Sequence, residues 1–163
     1  MRTMLVLGLA LASVLVAATM ALAGGGYGYG SQTTAAKSKT YSYRATLTAK
    51  QEVPAPKAAA KAAGVFNATV TEKGSKATIR WTLTFKRLSG KAIAAHIHTG
   101  KVGVAGPVML PLCGPCKTGM NGRGTLTHAQ SELLEDGGAY VNVHTPKNAN
   151  GEIRGQLHLV GNH

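Results

Sequence analysis

The sequence predicts an all-β fold: an antiparallel β-sandwich with Greek-key-like connections and one short helix. Three observations carry this. Short runs alternate apolar and polar residues with a period of two, as strands with one buried face do. Clusters of Gly, Pro, Asn and Ser separate these runs at short intervals, supplying the turns of an antiparallel fold. Only one stretch, HAQSELLED, carries helix signals at both ends, and the chain contains no internal repeat.

Residues 1–23 (MRTMLVLGLALASVLVAATMALA) read as a signal peptide: Arg2, a long apolar run, then Ala21-Leu22-Ala23 as a small-x-small cleavage site. The run is also nearly long enough to anchor in a bilayer, but its small-residue end fits cleavage better than an anchor's charged flank. The expected destination is secreted or periplasmic, with no transmembrane segment after cleavage. Residues 24–40 (GGGYGYGSQTTAAKSKT) lack apolar periodicity and read as a flexible linker, leaving a single domain at 41–160.

The first strand, Tyr41–Ala49, alternates Tyr41, Tyr43, Ala45, Leu47 and Ala49 against Ser42, Arg44, Thr46 and Thr48. Pro54 and Pro56 end it, and the Ala/Lys-rich stretch that follows reads as loop. Val65–Thr71 is the second strand, turned by Glu72-Lys73-Gly74-Ser75. The third has the clearest alternation, with Ala77, Ile79, Trp81, Leu83 and Phe85 on its core face and Trp81 as anchor. In the fourth, Ile93, Ala95 and Ile97 face one way and Ala94, His96 and His98 the other.

Gly100, Gly103 and Gly106 predict a loop, and Pro107–Leu112 a short edge strand, because proline cannot donate to a central ladder. Gly122–Thr127 is a weaker strand. Thr127 and Gln130 have capping-box spacing, and Gly137-Gly138 stops the helix between them. Ala139–His144 and Glu152–Leu159 are the last two strands, joined by TPKNANG. A regular hairpin would set Asn142 opposite Arg154 and His144 opposite Glu152, with Tyr140 on the same face.

The full chain of 163 residues has 18 Lys plus Arg against 6 Asp plus Glu, a net charge of +12, which becomes +11 once Arg2 leaves with the signal. Such a surface attracts anions over long range, so the expected partners are a protein, an anionic polysaccharide or an envelope surface. Nucleic acid is disfavoured by export and by the lack of an aromatic-and-basic recognition motif. No Ser-His-Asp or Cys-His arrangement is readable, and so few acids leave little for paired-carboxylate chemistry. A non-enzymatic binding or structural module is therefore the first expectation.

Four motifs stand in order along the chain: EVP at Glu52–Pro54, AHIHTG at Ala95–Gly100, GPV at Gly106–Val108, and YVNVHT with GEIRGQL near the end. Through them the segment Tyr43–Leu159 resembles the CHRD family, the domain repeated in chordin and found singly in exported microbial proteins. The resemblance implies a β-sandwich, of immunoglobulin-like or superoxide-dismutase-like type, and export; it implies little chemistry, since chordin binds growth factors and no agreed activity comes with the single microbial domains. More distantly the sequence is similar to copper,zinc superoxide dismutase, which also has a His-x-His strand, but that enzyme's full ligand set is absent.

His96, His98 and His144 are candidate ligands for copper or zinc, since imidazole suits both ions, and they carry the rival expectation of an exported metal-binding protein with or without redox activity. The alternative is a hydrogen-bonded polar seam between strands. The resemblance implies that the three converge, because the family carries these histidines in its recurring motifs. Asn142, Glu152 and Arg154 form a second candidate group, either a structural network or a site holding an anion beside the histidines. Cys113-Gly114-Pro115-Cys116 matches a redox motif, but Pro111 precedes it and Lys117-Thr118-Gly119 follows, so no helix start lowers the thiol pKa. In an exported chain the pair reads first as a disulfide, with redox activity and metal binding as the alternatives. His128, His158 and Met109 read as surface or packing residues.

Overall fold

The computed structural model describes residues 37–57, 59 and 61–163. The predicted signal peptide and most of the predicted linker lie outside the described residues. The linker's last two positions, Lys39 and Thr40, already belong to the first strand.

The strands are β1 (Lys39–Thr48), β2 (Ala63–Lys73), β3 (Lys76–Lys86), β4 (Ala94–Thr99), β5 (Val108–Cys113), β6 (Met120–Leu126), β7 (Ala139–Thr145), β8 (Asn148–Gln156) and β9 (His158–Asn162). The one α-helix is α1 (His128–Glu135), and a single 3-10 turn, Ala49–Gln51, follows β1. Every pairing is antiparallel, in the order β5-β4-β7-β8-β1-β2-β3-β6, with β9 also beside β1. The two halves join at one pair, Thr48 with Arg154. They close over a shared core, Leu47, Phe66, Ile79 and Leu83 from one half and Ile97, Val141, Val143 and Ile153 from the other. Leu110 of β5 reaches Gly124 of β6, so the sandwich is nearly a closed barrel.

The core follows from the alternation. Ala77, Ile79, Trp81 and Leu83 are all buried, while Thr78, Arg80, Thr82 and Thr84 between them are exposed. Trp81 stacks on Phe66 with 6.1 Å between ring centroids. Each such large apolar side chain contributes about 1.5–3 kcal/mol by leaving water. The helix begins where its capping residues dictate: Thr127 Oγ1 accepts from the Gln130 backbone N–H, and Gln130 Oε1 accepts from that of Thr127.

Two expectations about the last strands are corrected. The stretch Glu152–Leu159 is not one strand: Leu157 donates its N–H to Ala139, and β9 then crosses to β1. A continuous apolar-polar pattern does not reveal such a change of partner. The β7–β8 register keeps Asn142 opposite Arg154, but it shifts between Val143 and Thr145, where Thr145 meets Asn148. The chain turns at once at Pro146-Lys147, so the remaining residues before Ile153 form a wide bulge on β8. Glu152 consequently does not oppose His144. Its oxygens instead accept from Ser89, Thr145 and Asn148, which outweigh the upward push of burial and hold its carboxyl below the usual range.

Candidate metal centre

The faces of β4 and β7 decide where the histidines go. His96 pairs with Asn142, His98 with Tyr140 and Ala94 with His144, so residues 94, 96 and 98 share a face with 140, 142 and 144. Ala95, Ile97, Val141 and Val143 fill the core on the other side. The three imidazoles therefore collect on the outer side of the sheet, centroids 5.5 Å (His96 to His98), 4.9 Å (His96 to His144) and 6.1 Å (His98 to His144) apart. One nitrogen from each lies within 4.8 Å of the other two. A tetrahedral ion with bonds near 2.0–2.1 Å needs separations of about 3.3 Å, which side-chain rotation can supply.

Two of the rings are oriented by backbone carbonyls. His98 Nδ1 lies 2.9 Å from the Gly106 carbonyl and His144 Nδ1 2.9 Å from that of Ala149. A carbonyl only accepts, so each Nδ1 carries the proton and each Nε2 presents a lone pair. His98 Nε2 is buried without a partner. His144 Nε2 lies 3.0 Å from His96 Nδ1. Burial, then the neighbouring histidines, lower the pKa of His96; burial also holds His98 and His144 below the ordinary value, against their carbonyl hydrogen bonds. All three thus favour the neutral form that ligates a metal.

Both carbonyls come from irregular backbone. The β8 bulge supplies Ala149, and it turns through Gly151 at φ 134, where an added Cβ would strike Asn142 and Glu52. The loop between β4 and β5 supplies Gly106, which packs so tightly on the Thr99 carbonyl that a Cβ has no room. Arg154, 2% exposed, straps this loop to the sheet by donating from Nη2 to the Lys101 and Val104 carbonyls. Its guanidinium lies 3.3 Å from the centroid of Tyr140, which in turn stacks on His98.

The family model for the CHRD domain matches residues 43–157. The chain belongs to the CHRD family. No curated protein and no solved structure matches it.

The CHRD domain thus brings His96, His98, His144, Asn142 and Arg154 to one face and leaves Glu152 in a separate network. It also adds a residue that sequence reasoning gave no role, Glu52. This carboxylate is 7% exposed and receives the Asn142 amide at 3.1 and 3.0 Å. Burial raises its pKa to about 7, against the lowering influence of Arg154 and Asn142. The available signal was Glu52 in EVP, one of only 6 acids in the chain. Asn142 Oδ1 is buried and unpartnered, a second free acceptor on this face.

Elsewhere in the CHRD domain, Cys113 and Cys116 form the predicted disulfide at the end of β5. His128 pairs with Glu132 on the exposed side of α1, and His158 is exposed. Met109 packs half-buried against the core. Among the described residues no helix is long and apolar enough to cross a membrane.

Proposed function

We propose that this CHRD protein is an exported metal-binding module, in which His96, His98 and His144 hold one copper or zinc ion. The observation that carries the reading is the buried, unpartnered Nε2 of His98. An acceptor that is buried without a partner costs about 1–3 kcal/mol, and a metal ion shared with His144 and His96 would satisfy it. An all-imidazole donor set suits copper and zinc better than the oxygen-preferring calcium or magnesium. His96 would give up its contact with His144 to join the ion. Arg154 and Tyr140 act here as positioning residues, holding the loop that orients His98.

Export rests on the leader, and the role proposed is binding or structural, in the cell envelope or outside the cell. Equilibrium dialysis of the mature protein against Cu(II) and Zn(II), followed by metal analysis, tests the site. One equivalent of either ion, lost in a His96→Ala/His98→Ala double variant, is the expected result. A protein that takes up neither would have a hydrogen-bonded histidine seam instead.

A further inference from the structure

The outer face of β1, β2, β3 and β6 carries an array of polar side chains set by the strand registers. Cross-strand neighbours form rows: Thr40, Thr71, Thr78 and Thr125, then Ser42, Thr69, Arg80 and Arg123, then Arg44, Asn67, Thr82 and Asn121. Thr78, Arg80, Thr82 and Arg123 are exposed, and so are Arg44 and Asn67. Rows lie about 7 Å apart along the strands and neighbours about 5 Å apart across them.

Arg80 and Arg123 face each other directly on β3 and β6. Like charges so placed destabilise a sheet. The chain has no acidic residue between Glu72 and Glu132 but nine Lys and Arg. Among the described residues neither arginine is ion-paired with a carboxylate. A groove of about 450 Å³ runs beside them, where Asn67, Arg80, Thr82 and Asn121 meet Tyr43, Trp81 and the exposed Val160. The face thus combines uncompensated guanidinium groups with ranks of hydroxyl and amide groups.

We propose that this face binds an anionic polysaccharide, its carboxylates or sulfates held by Arg80 and Arg123 and its hydroxyls by the Thr and Asn rows. Charge complementarity selects a polyanion, and guanidinium is the group best shaped for paired contacts to carboxylate or sulfate oxygens. The hydroxyl and amide rows select a sugar backbone over a plain polyanion. The aromatic side chains that line the groove, Tyr43 and Trp81, are 1% and 5% exposed, too little to stack a nucleobase. Among the residues that line the groove, Val160 alone is an exposed large apolar side chain, short of the clustered anchors on which protein interfaces depend. The inference is independent of the histidines, which lie on β4 and β7.

Binding of the mature protein to immobilised polygalacturonate tests it, with polyphosphate and duplex DNA as comparison probes. Arg80→Gln/Arg123→Gln should weaken polygalacturonate binding at least tenfold and flatten its salt dependence. Lys91→Gln/Lys147→Gln, removing the same charge from exposed positions of the other half, should change it less than twofold. Thr78→Val/Thr82→Val keeps every charge and should weaken polygalacturonate at least threefold while leaving polyphosphate unaffected. All these side chains are exposed, and unchanged melting temperatures will show that the variants fold. Equal losses in the two charge variants, or no polygalacturonate binding by the parent protein, would overturn the proposal. So would silent threonine substitutions with DNA bound as tightly as the polysaccharide, which would make the face a general polyanion surface.

Discussion

His96 Nδ1 and His144 Nε2 lie 3.0 Å apart although 48 residues separate them in the chain. The adjacency of β4 and β7 creates this contact, and the β8 bulge fixes one side of it through the Ala149 carbonyl.

Metal should stabilise the fold only through these rings. At free Cu(II) or Zn(II) one hundred times the dissociation constant, the parent protein should gain about 2.7 kcal/mol against denaturant. His98→Ala, left with two imidazoles, should gain much less at the same free metal concentration, and thermal or urea melts with and without metal measure the difference. An equal gain in the variant would place the ion elsewhere.

Gly106→Ala should cost at least about 2 kcal/mol, because the added methyl has no room against the Thr99 carbonyl and the loop must shift. The shift also removes the acceptor that orients His98. Metal affinity should therefore fall along with stability, which titrating the purified variant at a temperature well below its melting point will separate from unfolding.

Glu52 gives a pH dependence of definite sign. Its folded pKa of about 7 lies above the ordinary 4.5, so its contribution to stability is fully present below about pH 4.5 and is lost as pH rises through 7. The change across that window is at most about 3 kcal/mol, at about 1.4 kcal/mol per pKa unit. In chelator-treated protein Glu52→Gln should remove this dependence and be relatively more stable at pH 8 than at pH 5. Urea melts at the two pH values show it, and a parallel loss at both would assign Glu52 no titrating role.

Thiol titration of denatured protein from its native compartment should find no free cysteine. Replacing both Cys113 and Cys116 with Ser should cost about 2 kcal/mol, small because the closed loop is short, and leave metal uptake intact.

The strands were readable wherever one face is buried and the other wet. The alternation through Trp81 placed β3, and the His-x-His spacing put His96 and His98 on one side before any neighbour was known. The capping residues Thr127 and Gln130 marked the start of α1 for the same local reason. What was not readable depends on contacts distant in sequence. Nothing near Leu157 shows that β9 leaves β7's neighbourhood for β1. Nothing in TPKNANG shows that the turn closes at Pro146-Lys147 and pushes its remaining residues into a bulge, so a regular hairpin register sets Glu152 opposite His144 where the fold does not. Glu52 is not legible as a site residue because its burial comes from folding the loop after β1 onto Asn142, 90 residues away.

Electron paramagnetic resonance of the Cu(II)-loaded protein reads out how many imidazoles bind the one ion. A single copper species coupled to three imidazole nitrogens, reduced to two in His98→Ala, is the predicted result. A spectrum with fewer nitrogens in the parent protein, or one unchanged by that substitution, would contradict it.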